Sequence, residues 1–467
     1  MRQGRGRLGT RRSTRARVAR DLVASLSLRR KALGLAALSA VVMLLSAAVV
    51  SCQTTSSASS SVSPSLSAEP EIRVRIRTRA PNARLASVSA MEVRPAGGGV
   101  PVTLPSPLLV EVTPQGFEIT DGEGLKRRWP PGVDLDLRAI LARSSIVVDQ
   151  TPCSGELQLR AKWREAARAF DIVSVLPMET YIAGVLQKEL YDNWPQAAYE
   201  AQAIAARSYA LHERDRARRA GRAHDVESST LDQVYGGLPT RPLALEGARR
   251  TRGMVLTYEG AGGGGILRAY YSSSCGGRPS SARAIWPTAA GFEFNLAKPL
   301  QGAPREFACG SSPAFAWEVV RKNDELARRL RAWGRDAGKR LSTIDRIRSV
   351  AVAERNPADK PTAYTITDVR GWEYRITAEE LRVACNFAVP GQGQSDSLPA
   401  ISSGPTHVRS NDMEFTIVGN DVRIRGRGFG HAVGLCQFCA KGFADRGVDA
   451  PSMLRTFYPG ATIERAY

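Results

Sequence analysis

The segment 177–218 constrains the fold most, because it predicts two consecutive helices of different character. In its first part, "LPMETYIAGVLQKEL", four residues are spaced four, three and four apart: Met178, Ile182, Val185 and Glu189. This spacing puts them on one stripe of a helix, the stripe that should face the core. The stripe therefore ends in a carboxylate where an apolar residue is expected.

Periodicity leaves two interpretations of Glu189 open. Burial disfavours the charged form and raises the pKa of a carboxyl group, and a carboxyl that stays protonated near neutral pH suits a general acid. Alternatively, the helix ends near Gln187, and Glu189 lies in a solvated turn before "YDNWP".

The second helix is predicted to begin after Asn193, with Pro195 in its first turn. A stripe of small residues along this helix, in "AAYEAQAIAARSYAL", would let it pack closely on a neighbour. Arg207 lies off that stripe and is a candidate for lining a site, although a solvated surface position is the commoner fate of an arginine.

The beginning of the chain predicts export and a tether. Residues 1–31 hold eleven Lys/Arg and one Asp, half of the net charge of +20, and residues 32–51 carry no formal charge. A basic segment, an apolar run and small residues before Cys52 are typical of a lipoprotein signal peptide over 1–51, with Cys52 lipidated. The alternative is an uncleaved anchor, since about 20 apolar residues can span a bilayer. The Ser-rich segment 52–70 predicts a flexible tether.

Two glycine-rich segments and the lack of a third motif argue against common cofactor-binding and hydrolase sites. The loop Gly260 to Gly265 lacks the Gly-Lys-Ser/Thr ending of a phosphate loop, so a turn is predicted there. The sequence "GRGFGH" lacks the third glycine of a dinucleotide fingerprint and is predicted to be a backbone turn that presents His431. The chain has no Gly-x-Ser-x-Gly elbow, which argues against a serine hydrolase.

The cysteines predict covalent cross-links. Six of the seven remain after Cys52: Cys153, Cys275, Cys309, Cys385, Cys436 and Cys439. An even number in an exported chain permits three disulfides. For Cys436 and Cys439 in "CQFC" the alternatives are a redox motif, a local disulfide, half a metal site with His431, or separate partners in Cys275 and Cys309. Zinc needs further ligands that the sequence does not identify, so structural disulfides are expected and no metal or cofactor is predicted.

Five motifs in order carry a resemblance. They are "LPMETYIAGVLQKELYDNWPQAAYEAQAIAARSYAL", "DQVYGG", "AYYSSSCGG", "GRGFGHAVGLCQF" and "MLRTFYPGATI". Together they resemble the sporulation stage II protein D family over about 71–467.

The resemblance implies an exported peptidoglycan lytic transglycosylase, which cleaves glycan strands between N-acetylmuramic acid and N-acetylglucosamine and leaves 1,6-anhydro ends. The best-known members act on strands stripped of peptides. The catalytic glutamate of the family falls on Glu189. Glu179 lies about 80° round an ideal helix from it, so we expect Glu179 to be an exposed or capping residue. The alternative function is a non-catalytic peptidoglycan-binding module that activates an amidase.

The other motifs supply candidate substrate contacts. Tyr271 and Ser273 of "AYYSSSCGG" and Gln233 of "DQVYGG" are predicted to hydrogen-bond sugar hydroxyls beside Glu189. For His431 the alternatives are contact with substrate and capping of the following helix. Some family members bind zinc through His and Cys just before "DQVYGG"; the residues here, "ESSTL", include neither.

The predicted fold class is α+β, because strands and helices do not alternate as βαβ units. It has a β-rich body, an inserted helical block that carries Glu189, and a C-terminal helix after a glycine turn. Residues 71–467 divide into a β-rich part over 71–175, a catalytic core over 176–310, an insertion of a helix and strands over 311–389, and a part over 410–467 that completes the core.

The predicted partners are peptidoglycan glycan strands, the membrane through the lipid anchor and, in the alternative, an amidase; no nucleic acid is expected. The predicted location is a membrane-anchored lipoprotein that faces the periplasm or cell wall. Outside 1–31 the chain still carries half of its net charge of +20, which favours a polyanion such as glycan bearing lactyl carboxylates.

Overall fold

A computed structural model describes residues 68–142, 144–153, 155–163, 168–388 and 407–467. The predicted signal peptide, Cys52 and most of the tether lie outside these ranges. Within them, no helix is both long enough and apolar enough to cross a bilayer.

The first part of the described chain is a β-rich body, as predicted. Its strands in chain order are β1 (Glu71–Ala80), β2 (Asn82–Ala86), β3 (Met91–Pro95), β4 (Val102–Leu104), β5 (Leu108–Thr113), β6 (Gly116–Thr120), β7 (Lys126–Trp129), β8 (Leu135–Ala139), β9 (Ile146–Val148), β10 (Thr151–Cys153), β11 (Glu156–Ala161) and β12 (Phe170–Pro177). Strands β10-β9-β2-β5-β6-β7 form one sheet, and β1-β12-β11-β8-β3-β4 belong to a second. Alternating apolar residues of both sheets, such as Leu85, Phe117 and Leu137, are buried in a common core.

A helical part follows. It comprises α1 (Met178–Glu189), α2 (Gln196–Arg219), β13 (Val226–Glu227), α3 (Pro242–Arg250), β14 (Met254–Tyr258), β15 (Gly265–Ile266), β16 (Tyr271–Ser272) and α4 (Ala282–Ile285). Pro195 rather than Asn193 is the N-cap residue of α2. Strands β14 and β15 form the predicted hairpin around the glycine loop. Helix α2 is buried on all sides from Ala201 to Leu211, which its small side chains permit.

The remaining elements form a third part and return to the second. They are β17 (Ala316–Lys322), α5 (Asn323–Asp336), β18 (Ile347–Arg355), β19 (Pro361–Asp368), β20 (Glu373–Thr377), α6 (Ala378–Asn386), β21 (Met413–Val418), β22 (Asp421–Arg427), β23 (Leu435–Cys436), α7 (Gln437–Ala444), α8 (Ala450–Phe457) and β24 (Thr462–Arg465). Short 3-10 helices lie at Glu293–Leu296, Lys298–Leu300, Cys309–Ser311 and Arg340–Thr343.

The segment predicted as one C-terminal part, 410–467, divides between two cores. Strand β22 pairs with both β17 and β21, so Met413 and Ile424 are buried in a core with Trp317 of the predicted insertion. From Ala432 onward the chain packs in the helical core, and β24 pairs with β14. The pairing of named strands is antiparallel except for β1 with β13 and β16 with β23, which agrees with the predicted α+β class.

A buried ion pair joins helix α1 to helix α2. The guanidinium of Arg207 is 0% exposed and donates to both carboxylate oxygens of Glu179, at 3.0 and 2.6 Å. Glu179, 13% exposed, also accepts from the backbone N–H of Gly253 and the hydroxyl of Tyr467. Arg207 donates further to the carbonyl of Met254. One charge pair therefore connects both helices to β14 and to Tyr467.

Replacing Glu179 with Gln should destabilise the protein strongly, because it leaves the Arg207 charge buried without its counter-ion. Removal of one partner of a buried pair costs about 3–5 kcal/mol. We expect a loss of this size in the free energy of unfolding, measured by urea denaturation. Glu246→Gln is the matched control: Glu246 pairs with Arg249 and Arg250 on the surface, and its loss should change stability little. Equal stability of the two variants would contradict this account.

Candidate active site

Glu189 is the last residue of helix α1, and Leu190 is the C-cap residue. The helix therefore reaches Glu189 and does not end near Gln187. Met178, Ile182 and Val185 are buried, as their stripe predicts, whereas Glu189 is half-buried. The carboxylate thus lies at the end of the apolar stripe, where the helix meets solvent.

Two hydrogen bonds hold the carboxyl group of Glu189. One oxygen accepts from the backbone N–H of Val234 at 3.4 Å, and the other accepts from the side-chain amide of Gln437 at 3.0 Å. Burial raises the pKa of Glu189, and the two hydrogen bonds partly oppose this effect because they favour the charged form. The net effect is a pKa above the ordinary value, which suits a proton donor.

The loop of the "DQVYGG" motif reaches Glu189 because helix α1 has a glycine at position 184. A Cβ atom on Gly184 would lie 2.4 Å from the Tyr235 ring and 2.8 Å from the carbonyl oxygen of Gly237. The backbone N–H of Gly236 donates to the carbonyl of Gly184 at 3.2 Å. Close packing of loop on helix brings the Val234 N–H to the carboxyl group.

Gln233, predicted to bind substrate, is buried and has its own protein partners. Its side-chain oxygen accepts from the hydroxyl of Tyr181, and its amide donates to the carbonyl of Ala206 and to the hydroxyl of Tyr271. The structure therefore gives Gln233 a positioning role, because its amide is engaged on both sides before any sugar arrives.

Tyr271 is half-buried in β16 and extends this network towards Glu189. Burial raises its pKa well above the ordinary value, and the nearby Glu189 carboxylate raises it further. The hydroxyl therefore stays protonated. The hydroxyl oxygen accepts a hydrogen bond from the Gln233 amide. The hydroxyl proton of Tyr271 is therefore available for another acceptor.

Ser273 is half-buried, and its backbone carbonyl accepts from the N–H of Phe438 at 3.0 Å. This contact belongs to a close packing of the "AYYSSSCGG" and "GRGFGH" segments, in which Ser274 and Phe429 exchange backbone hydrogen bonds. A Cβ on Gly428 would lie 2.5 Å from the Ser274 carbonyl oxygen, and its φ is +82°, so glycine is required. The packing places the first residue of α7, Gln437, at Glu189.

His431 lies in the turn before β23 and does not cap α7. The N-cap residue of α7 is Cys436, whereas Nδ1 of His431 accepts from the N–H of Val433 at 3.0 Å. Its ring packs on Trp286 with centroids 4.8 Å apart. Burial lowers the pKa of His431 to about 4, so the ring is neutral at pH 7. Contact of His431 with substrate stays a prediction.

The predicted substrate role of Arg207 is wrong in this structure. Arg207 is fully buried in the ion pair with Glu179, so it lines no open site. The expectation that Glu179 is exposed or caps the helix is wrong for the same reason. Helical periodicity identifies the faces of two helices, but it does not show that the two charges meet.

Sequence reasoning missed two residues beside Glu189. Gln437 is 4% exposed and lies inside "CQFC", next to two cysteines with several possible roles. Tyr191 is 59% exposed, and its ring packs on Trp194 and Phe438 with centroids 5.5 and 6.2 Å away. The sequence signal for Tyr191 was an aromatic residue two positions after Glu189. Sugar rings present apolar faces, which can stack on an aromatic ring.

The six cysteines that the structure describes are all free thiols, so the expected structural disulfides are wrong for this part of the chain. Cys153 is buried in the core of the β-rich body, and Cys385 is buried in the core around Trp317, which we call the third core. The other four lie together next to Gln437.

A separate cavity of about 480 Å³ lies beside the glycine loop of the β14–β15 hairpin. His212, Arg219, Arg268 and Phe294 line it, and it includes none of the predicted site residues. The residues around Glu189, rather than this cavity, therefore form the candidate active site.

Comparisons with known proteins agree with this arrangement. Residues 166–258, which include α1, α2 and the "DQVYGG" loop, match the model of the Stage II sporulation protein family SpoIID. An uncharacterized protein of Brachyspira hyodysenteriae is 27% identical over 294 residues, which cover 62% of this chain and 68% of that protein.

Two relatives from Bacillus have descriptive names. The amidase enhancer of Bacillus subtilis is 24% identical over 60% of this chain, and the match spans only 40% of that protein's length. The Stage II sporulation protein D of Bacillus amyloliquefaciens is 22% identical over 63% of this chain and 76% of its own length. Residues 166–258 are thus similar to the SpoIID family, and the names of two of these relatives agree with that match.

Proposed function

We propose that the protein is a lytic transglycosylase that cleaves peptidoglycan glycan strands with Glu189 as its single acid and base. The observation that carries the proposal is the setting of Glu189: a half-buried carboxyl with a raised pKa, held by Gln437 and the Val234 N–H at the end of a rigid helix. Similarity to the SpoIID family is consistent with a glycan-cleaving enzyme.

The proposed reaction needs one carboxyl group. Protonated Glu189 donates its proton to the glycosidic oxygen as the bond from C1 of N-acetylmuramic acid breaks. The resulting carboxylate then takes the proton of the 6-hydroxyl of the same sugar, whose oxygen attacks C1. The products are a 1,6-anhydro end and a free 4-hydroxyl on N-acetylglucosamine, and Glu189 is protonated again.

The state of two other carboxyl groups supports this mechanism over hydrolysis, which usually employs two carboxylates around the bond. Glu179 is neutralised by Arg207. Asp232 accepts from the hydroxyl of Tyr209 and from the backbone N–H of Glu227, at 2.8 Å each. Neither is available as a second catalyst without breaking these contacts.

Two residues would bind the sugar in this proposal, and a third would orient the acid. Tyr271 has a hydroxyl proton to donate, and the exposed ring of Tyr191 offers an apolar platform on which a sugar can stack. Gln437 orients the carboxyl group of Glu189. Ser273 lies next to this site, and its contact with sugar stays a prediction.

Replacing Glu189 with Gln should abolish cleavage and keep glycan binding, because the amide has the shape of the carboxyl group but no acidic proton. General acid–base catalysis contributes about 10²- to 10⁴-fold to a rate, and we expect a loss of at least this size. The measurement is mass spectrometry of peptide-stripped glycan strands after incubation. Anhydro ends indicate transglycosylation, whereas reducing ends indicate hydrolysis.

The surface variant Glu246→Gln is the matched control and should release anhydro products at the normal rate. Undiminished cleavage by Glu189→Gln would contradict the assignment. The second candidate function, favoured by the relative named amidase enhancer, is activation of a partner amidase. If the unaltered protein cleaves no glycan but stimulates an amidase, and Glu189→Gln stimulates it equally, this second function holds.

The pH dependence of kcat/KM should report the protonation of Glu189. Because the acid must be protonated, the rate falls as pH rises through the raised pKa of Glu189. Gln437→Met removes a hydrogen bond that favours the carboxylate, so the pKa rises further. A hydrogen bond of about 1 kcal/mol corresponds to a shift of about 0.7 pH units in the descending limb, towards higher pH. Gln158→Met, in β11, is the control; a shift to lower pH in Gln437→Met would contradict the role of Gln437.

We also propose that the protein is exported and anchored by lipid on Cys52, as the sequence "VVSC" after an apolar run indicates. Cys52→Ser should abolish processing and leave the full-length chain, because the thiol is the site of lipid attachment. Intact-mass measurement of the membrane fraction tests this: the unaltered protein should begin at Cys52 and carry acyl chains. An unmodified chain that retains residues 1–51 would favour the uncleaved anchor.

A further inference from the structure

Four buried cysteines from three separate segments meet beneath the candidate active site. Cys275 follows β16, Cys309 begins a 3-10 helix, and Cys436 and Cys439 flank the first turn of α7. All four sulfur atoms lie within 4.8 Å of one another. The sulfur of Cys275 is 3.7 Å from that of Cys309 and 3.8 Å from that of Cys439.

The two distances from Cys275 match the edges of a tetrahedron of four sulfurs around one metal ion. A zinc–sulfur bond of about 2.3 Å puts the corners of a tetrahedron about 3.8 Å apart. A disulfide would bring one pair to about 2.05 Å, whereas Cys275 is nearly equidistant from two partners. An iron–sulfur cluster would need wider spacing, because bridging sulfides and several irons occupy its centre.

Backbone N–H groups point at the sulfur atoms, as thiolates require. Cys436 accepts from the N–H groups of Cys275 and Cys439, at 3.2 and 3.4 Å. Cys439 accepts from the N–H of Ala308 at 3.4 Å. Hydrogen bonds of this kind stabilise negative charge on sulfur, which a neutral disulfide would not need.

Positive charges are available to balance a buried anionic centre. Arg305 and Lys360 both interact electrostatically with the sulfur of Cys275. Lys360 is 1% exposed, and its ammonium has no hydrogen-bond partner within the described residues. Among its electrostatic partners, Asp412 compensates this buried ammonium most and Cys275 next, and a zinc tetrathiolate would add a net charge of −2 at the cysteines.

We propose that Cys275, Cys309, Cys436 and Cys439 bind one Zn²⁺ ion in a closed structural site. Binding releases the thiol protons to solvent, and the four sulfur atoms leave no open position for substrate or water. The ion links the segment after β16, the segment around Cys309 and the start of α7. The sequence predicts neither a metal nor a cofactor, and the proposed zinc site revises that expectation.

The zinc site has a consequence for Gln437 that rests on the proposed function. Gln437 lies between the ligands Cys436 and Cys439, and its side chain donates to Glu189. Metal at the cysteines would fix the backbone on both sides of Gln437. The ion would therefore act as a positioning element for the acid without touching the sugar.

The site is tested by metal analysis of the full chain, purified without chelator and without added metal. We expect one zinc per chain by plasma mass spectrometry. We also expect four thiols that resist alkylation until the protein is denatured with chelator. Disulfides among the four cysteines, seen as the loss of two hydrogens per bridge, or thiols that react freely without bound metal, would overturn the proposal. Stoichiometric iron would contradict the assignment of the ion.

Cys309→Ser should lose most of the zinc and lower the melting temperature, whereas Cys385→Ala, a buried cysteine of the third core, should retain one zinc per chain. If Cys309→Ser does not fold, replacement of zinc by Co²⁺ in the unaltered protein decides the question, since a tetrahedral tetrathiolate gives intense sulfur-to-metal absorption. Absence of that absorption would overturn the site. Glu189→Gln should keep its zinc, so loss of cleavage with zinc retained separates the two proposals.

Discussion

The buried pair of Glu179 and Arg207 determines how the helical part is arranged. A guanidinium that is fully removed from water must find a counter-ion and acceptors for its remaining donors. Arg207 finds them in Glu179 on α1 and in carbonyl groups near β14. The first turn of α1 is thereby held against α2, and the direction of α1 is set. Glu189 lies at the opposite end of that helix, about 15 Å away at 1.5 Å per residue.

The site at that opposite end is built from segments that are far apart in the chain. Helix α1 supplies Glu189, the loop after β13 supplies the Val234 N–H, β16 supplies Tyr271, and α7 supplies Gln437. Glycines make the approach possible at Gly184 and Gly428, where any side chain would collide with backbone or ring atoms. The sequence motifs thus supply the contacts that bring these segments together.

One strand, β22, connects the third core to the segments around Glu189. Strand β22 pairs with β17 and then continues into the glycine turn that packs on the segment after β16. Cys275, one of the four clustered cysteines, lies in that same segment. The start of α7, and with it Gln437, is therefore supported both by the turn and by the cysteine cluster.

The sequence by itself determined the elements and the identity of the acid candidate. The apolar stripe of α1 reports which face of the helix is buried, and this prediction is confirmed at Met178, Ile182 and Val185. The ordered motifs singled out Glu189 as the carboxyl to consider. Each of these properties is local, since propensity and periodicity depend on neighbours within a few residues.

Only the tertiary structure decided which groups meet. Gln437 donates to Glu189 across 248 positions of the chain, Arg207 joins a carboxylate of another helix, and Gln233 is saturated by protein partners. The cysteine count predicts disulfides, whereas the structure has four free cysteines whose sulfur atoms cluster together. Periodicity assigns a residue to a face, but the partner on the opposite surface comes from distant sequence, so packing alone determines the charge and hydrogen bonding of each group.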